Sequence, residues 1–192
     1  MDRPRPPLPA PALQESGRII GQYRWLEIRA FEIVGGWVPG VAELEVKLAI
    51  ATHAPHFAWH SALWRDRLPA LAGVDADDLT APANPDVVAF IDALGDDAGA
   101  DRTIEKLVGA YRTLLPRLIA CYSSHLDRAS PVAEGPTIRS LRLVLRDELE
   151  DWREGETLIQ SLLIDAASVR RAADQQARLE TMLVRAGGIT GP

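Results

Sequence analysis

The chain has 192 residues, of which 47% are hydrophobic and 25% charged, a balance that fits one soluble domain large enough to bury a core. Acidic residues outnumber basic ones by 27 to 21, which argues against a nucleic-acid partner and against docking on anionic lipid. The single cysteine, Cys121, excludes an intrachain disulfide, and no apolar run approaches the roughly 20 residues of a membrane span. We therefore expect a cytoplasmic protein with no membrane contact and no export signal.

The first half of the chain predicts a short arm followed by two helices. Residues 1–13 contain five prolines and are expected to form a flexible arm ahead of a single helical domain at 14–186. Apolar residues then recur with a helical period over 14–37, where two glycines and a proline follow, and again over 41–68.

An acidic segment over 70–101 separates these helices from the rest of the chain. It is rich in aspartate and is expected to form a crossover with one short helix near 86–94. The crossover is either a solvated loop or a lid over the polar site. A third long helix is predicted over 102–128, with a bend at Pro116 because proline removes a backbone hydrogen bond.

The last long helix is predicted to start at Pro136 and to run to about residue 185, with a break near Gly155 or Ala166. Residues 187–192 are glycine-rich and are expected to form a flexible tail. The fold class is therefore all-α, and the long crossover between helices 2 and 3 predicts a ferritin-like four-helix bundle.

Each predicted long helix places an ionisable side chain on its apolar face when residues are set at about 100° intervals. Glu27 lies on the apolar arc of the first helix. Glu148 lies at the centre of the apolar arc of the fourth helix, and Asp151 lies at the edge of the same arc. An ionised carboxylate in a core is costly unless it is paired or bound to metal, so these positions predict a polar cavity. The second and third helices contribute inward histidines: His53, His56, His60 and His125.

Over residues 20–165 the chain resembles bacterial ferritin-like domain proteins. The residues that carry the resemblance are the run WVPGVAELEVK at 37–47, then His53, His60 and the run RLP at 67–69, and the segment 136–150 with Trp152 after it. Di-iron members of this class carry a lone Glu on each of two helices and a Glu-x-x-His pair on each of the other two.

Against that pattern the resemblance implies a degenerate metal site. Glu27 matches a lone Glu, whereas each Glu-x-x-His pair is half missing: Phe57 stands where the partner of His60 belongs, and Asp151 where the partner of Glu148 belongs. Tyr122 and His125 occupy the level of the site on the third helix. If a metal is bound, its ligands are expected to come from this set: Glu27, His53, His56, His60, Glu148 and Asp151.

Three functions fit these residues. The preferred hypothesis is a biosynthetic enzyme that tailors a small metabolite without a cofactor, by elimination, cyclisation or rearrangement, with His60 or His56 taking the proton. Glu27 and Glu148 would orient the histidine or act as acids. The pocket would be shaped by further residues: Phe57, Tyr122, His125 and Trp152. An iron-dependent oxidase or oxygenase is the second hypothesis, and a non-catalytic subunit of a partner protein is the third; a homodimer is compatible with each.

Overall fold

The computed structural model of the chain describes residues 13–70, 75, 77–96, 99 and 101–191, and these residues contain helices and no β-strand. The α-helices are α1 (Leu13–Trp37), α2 (Leu44–Arg65), α3 (Pro85–Gly95), α4 (Thr103–Leu107), α5 (Leu115–Arg128), α6 (Gly135–Leu162) and α7 (Ala166–Arg185). The prediction of an all-α protein is confirmed. The predicted arm lies outside the described residues except for Leu13, the first residue of α1.

Helices α1 and α2 form an antiparallel hairpin. A 3₁₀ turn, Val38–Gly40, reverses the chain between them, with proline in its first turn. The ring of Tyr23 packs at a tilt against that of Trp64, with a centroid distance of 5.3 Å, and Glu27 lies opposite His60. Pro55 lies inside α2 without ending it. The hairpin corresponds to the first two predicted helices and sets the axial level at which their inward polar residues meet.

The crossover is described only in part, and its described residues lie against α1. A Cβ atom at Gly21 would stand 1.8 Å from the carbonyl oxygen of Leu79, so the close approach of these two segments requires glycine there. Arg24 donates to Asp77 and to Thr80, each at 2.6 Å. The predicted lid falls partly on residues outside the described part of the chain.

Helices α4 and α5 belong to one continuous rod, because the seven residues Val108–Leu114 between them are π-helical. The amide of Leu115 bonds to the carbonyl of Ala110, the wider spacing typical of a π-helix. The sequence predicted a bend at Pro116, but the irregular stretch lies before that residue. Proline cannot donate to the preceding turn, and a local π-helix accommodates the missing bond upstream of it.

The fourth predicted helix is two helices. It breaks at residues 163–165, where Asp165 caps α7 in a reciprocal capping box with Ser168. The break therefore lies at the Ala166 alternative, while Gly155 lies within an uninterrupted α6. Helix α7 turns back to pack on α3, α4 and the π-helical segment.

A simple four-helix bundle therefore does not describe the whole chain. The α1–α2 hairpin packs with α5 and α6 around the polar residues, while α3 and α7 add a further helical layer. Residues 187–191 turn back onto the helices, and Ile189 is buried. No helix among the described residues is long and apolar enough to cross a lipid bilayer.

Candidate metal centre

Three ionisable side chains from three helices meet in the core of the protein. Glu27 of α1, His60 of α2 and Glu148 of α6 are 0%, 0% and 1% exposed, respectively. His60 Nδ1 lies 3.6 Å from Glu27 Oε2 and 3.5 Å from Glu148 Oε1. The ligand atoms of all three residues lie within 4.8 Å of one another. We call Glu27, His60 and Glu148 the buried triad.

Four polar atoms of the buried triad have no hydrogen-bond partner. These atoms are Glu27 Oε2, His60 Nδ1 and both carboxylate oxygens of Glu148. Buried polar groups are almost always satisfied, and a buried charge without a partner is strongly unfavourable. The separations are too long for good hydrogen bonds, yet two ligands bound at about 2.1 Å to one tetrahedral metal lie about 3.4 Å apart. The buried triad therefore could bind a metal ion.

The remaining polar atoms of Glu27 and His60 are held from outside the buried triad. Tyr122 of α5 donates its hydroxyl hydrogen to Glu27 Oε1 at 2.5 Å. Asp147 Oδ2 lies 3.3 Å from His60 Nε2 on the other side of the imidazole. A proton on Nε2 leaves the lone pair of Nδ1 free to face the carboxylates, which is the tautomer that a metal ligand requires. Asp147 thus orients the ring of His60.

Burial and neighbouring charges shift the pKa values within the buried triad. Burial disfavours a charged His60, but the carboxylates of Glu27 and Glu148 outweigh it and raise its pKa to about 11. Burial, together with the charge of Glu27, raises the pKa of Glu148 to about 8. Burial also keeps the pKa of Tyr122 well above its usual value, so that its hydroxyl remains a donor to Glu27. Without metal, the buried triad therefore holds protons at neutral pH.

The other predicted residues of α2 pair with a different part of α6. His53 Nε2 lies 3.1 Å from Glu154 Oε2 and 3.5 Å from Asp151 Oδ1, and His56 Nδ1 lies 2.8 Å from Asp151 Oδ2. The hydroxyl of Tyr111 lies 2.7 Å from His53 Nδ1. We call these residues the second polar cluster. Three members of the predicted ligand pool, His53, His56 and Asp151, thus satisfy one another instead of joining the buried triad.

The predicted pocket residues lie in different surroundings. Phe57 is 1% exposed in the hydrophobic core, and Trp152 packs against that core from a partly exposed position. His125 Nε2 lies 3.4 Å from Glu134 Oε1, one turn beyond Tyr122. Burial lowers the pKa of His125. Of the four predicted pocket residues, Tyr122 is the one with a hydrogen bond to the buried triad.

Sequence reasoning missed Asp147, Tyr111 and Glu154. The available signal for Asp147 was its position next to Glu148 in the sequence. A helical wheel nevertheless places Asp147 about 100° from Glu148, away from the apolar face. Tyr111 was missed because it lies in the π-helical segment, where an α-helical wheel assigns residues 108–114 to the wrong faces.

Comparisons with known proteins identify no family for the chain. No protein-family profile, no curated protein and no solved structure matches it significantly. The functional argument therefore depends on the site itself.

Proposed function

We propose that the chain binds one divalent first-row transition metal ion through Glu27, His60 and Glu148, and that it is a ferritin-like enzyme acting on a small molecule. The observation that carries the proposal is the set of four buried oxygen and nitrogen atoms of the buried triad that have no hydrogen-bond partner. Two carboxylates and one imidazole suit iron, manganese or zinc. Iron is the ion that fits an oxidase or oxygenase.

The bound metal would supply a Lewis acid and, if it is iron, a site for oxidation chemistry. The protein's own groups would hold and tune it. The charges of Glu27 and Glu148 balance that of a divalent ion, Tyr122 holds the second oxygen of Glu27, and Asp147 holds the ring of His60. The proposal of a ferritin-like core is supported by the packing of α1 against α2, of α5 against α6 and of α2 against α6.

Elemental analysis of the purified protein, before and after loading with ferrous iron or zinc, tests the metal proposal. We expect about one equivalent of metal in the wild type. The variant Glu148→Gln removes a ligand charge while keeping the side-chain shape, so it should lose that equivalent. Glu150→Gln is the matched control, because Glu150 is exposed on the same helix, and it should retain the metal. A folded wild type that takes up no metal would contradict the proposal.

Metal-free acid–base catalysis by His60 is the second candidate, favoured by the position of its imidazole between two buried carboxylates: Nδ1 lies 3.6 Å from Glu27 Oε2 and 3.5 Å from Glu148 Oε1. The variant His60→Gln should then abolish turnover in metal-free protein. Turnover that depends on added iron in the wild type would instead favour the oxidase.

A further inference from the structure

A cleft of about 450 Å³ lies between the start of α1, the middle of α5 and the chain segment 187–191. None of Glu27, His60 and Glu148 lines it, so it is a separate feature of the molecule. Its polar lining is unusual for an acidic chain. Three arginines line it, Arg18, Arg117 and Arg128, against a single glutamate, Glu15. We call this feature the arginine cleft.

The three arginines differ in how far their charges are already neutralised. Arg18 is paired with Glu15 at 2.8 Å, and Arg117 is paired with Glu180 of α7. Arg128 donates from Nε to the backbone carbonyl of Ser124 at 3.1 Å and has no carboxylate within 4.0 Å among the described residues. In a chain of net charge −6, the arginine cleft retains a cation whose terminal nitrogens are available to an anion. A guanidinium matches the paired oxygens of a carboxylate or phosphate.

The inner wall of the cleft combines apolar surface with one unpartnered amide. Gln22 is 4% exposed, and its Oε1 has no hydrogen-bond partner. The oxygen and nitrogen of an amide exchange places by a simple rotation, so Gln22 can present either a donor or an acceptor to a ligand. Ile19, Tyr23 and Ile189 line the same cleft. A ligand that fits this wall therefore has an apolar body as well as a charged end.

The third wall of the cleft is a packed segment of the chain. Ile189 is 2% exposed, and Asn84 Nδ2 donates to the carbonyl of Ala186 at 3.0 Å. Gly187 and Gly188 have φ values of 74° and 99°, which glycine adopts without strain and which turn the chain back over α5. The arginine cleft is thus formed before any ligand arrives, which lowers the entropic cost of binding.

We propose that the arginine cleft is a binding site for a small organic anion, a molecule in which a phosphate or carboxylate group is joined to an apolar body. The anionic group lies against Arg128, and the apolar body lies against Tyr23 and Ile189. This site goes beyond the proposed metal centre and does not depend on it, because the two share no lining residue.

Isothermal titration calorimetry of the full-length chain with phenyl phosphate tests the site. Inorganic phosphate and phenol serve as probes of the charged and apolar halves. We expect saturable binding of one phenyl phosphate per chain, stronger than that of either half. Arg128→Ala should weaken it about tenfold, the effect of one charge-assisted contact. Arg128→Glu should abolish it, and Arg146→Ala, an exposed arginine on α6 outside the cleft, should leave it unchanged.

Two results would overturn the inference. One is the absence of saturable phenyl phosphate binding to folded wild-type protein. The other is an equal loss of affinity in Arg128→Ala and Arg146→Ala, which would indicate unspecific attraction. His60→Ala should keep the wild-type affinity for phenyl phosphate while losing metal, so failure of the arginine cleft and failure of the metal centre are distinguishable.

Discussion

Tyr111 lies so close to Gly155 that a Cβ atom on Gly155 would stand 2.1 Å from Cγ of the ring. This approach places the hydroxyl of Tyr111 2.7 Å from His53 Nδ1. It also explains why a glycine is present inside the long helix α6. The π-helical segment presents the tyrosine, and the missing side chain at 155 leaves room for it.

Gly155→Ala should destabilise the protein by about 1–3 kcal/mol, because Tyr111 is fully buried and cannot move away freely. Urea denaturation of wild type and variant measures the difference. Gly36→Ala is the matched control. Gly36 is also helical, and a Cβ atom there would meet nothing within 4 Å, so the replacement should stabilise the protein by about 0.5–1 kcal/mol. Equal effects of the two replacements would contradict the contact.

Metal affinity should rise with pH. His60, with a pKa of about 11, and Glu148, with a pKa of about 8, hold protons in the metal-free protein. A metal ion must displace protons from this pair near neutrality, and each displaced proton changes the affinity by about tenfold per pH unit. We therefore expect the affinity to increase by at least about tenfold per pH unit. Calorimetry in two buffers of different ionisation enthalpy counts the released protons, and affinity that is independent of pH would contradict the assignment.

Asp147→Asn should weaken metal binding by about 10–100-fold, the usual effect of removing a carboxylate that orients a ligating histidine. The amide has nearly the same shape, so folding should be preserved. Competition against a chromogenic chelator measures the affinity. Asp174→Asn, at an exposed position on α7, should bind as the wild type does. An unchanged affinity in Asp147→Asn would remove Asp147 from the site.

The ion pair between Glu105 and Arg171 should anchor α7 to α4. Arg171 donates to both carboxylate oxygens, from Nε at 2.9 Å and from Nη2 at 2.7 Å. Glu105→Gln should cost about 0.5–1.5 kcal/mol at neutral pH, a figure reduced because the arginine is 44% exposed. The exposed Glu150→Gln should cost little by comparison.

The same pair predicts the direction of a pH effect. Burial tends to raise the pKa of Glu105, but Arg171 outweighs it and lowers the pKa below the usual value. A depressed carboxylate pKa stabilises the folded state above the unfolded value of 4.5, and this stabilisation is lost as the pH falls through the folded value. The difference in unfolding free energy between wild type and Glu105→Gln should therefore shrink in acid. A difference that grows as the pH falls would reverse this assignment.

Periodicity predicted the helices best where the backbone was regular. The predicted helix over 14–37 corresponds to α1, and the short helix near 86–94 corresponds to α3. The helical period gave the wrong faces around Tyr111, because each π-helical turn contains more residues than the 3.6 of an α-helix. It left the break in the last predicted helix open between Gly155 and Ala166, and the structure places the break at the second of these, where the capping box of Asp165 and Ser168 starts α7.

The amino-acid sequence by itself determined the helical class and the presence of Glu27, His60 and Glu148 on apolar faces. Those features follow from local periodicity and from the cost of burying a charge. Only the tertiary structure decided that these three residues meet, whereas His53 and His56 pair with Asp151. The way in which α2 packs against α6 makes that choice, and this packing depends on side chains from several helices, which no single helix encodes.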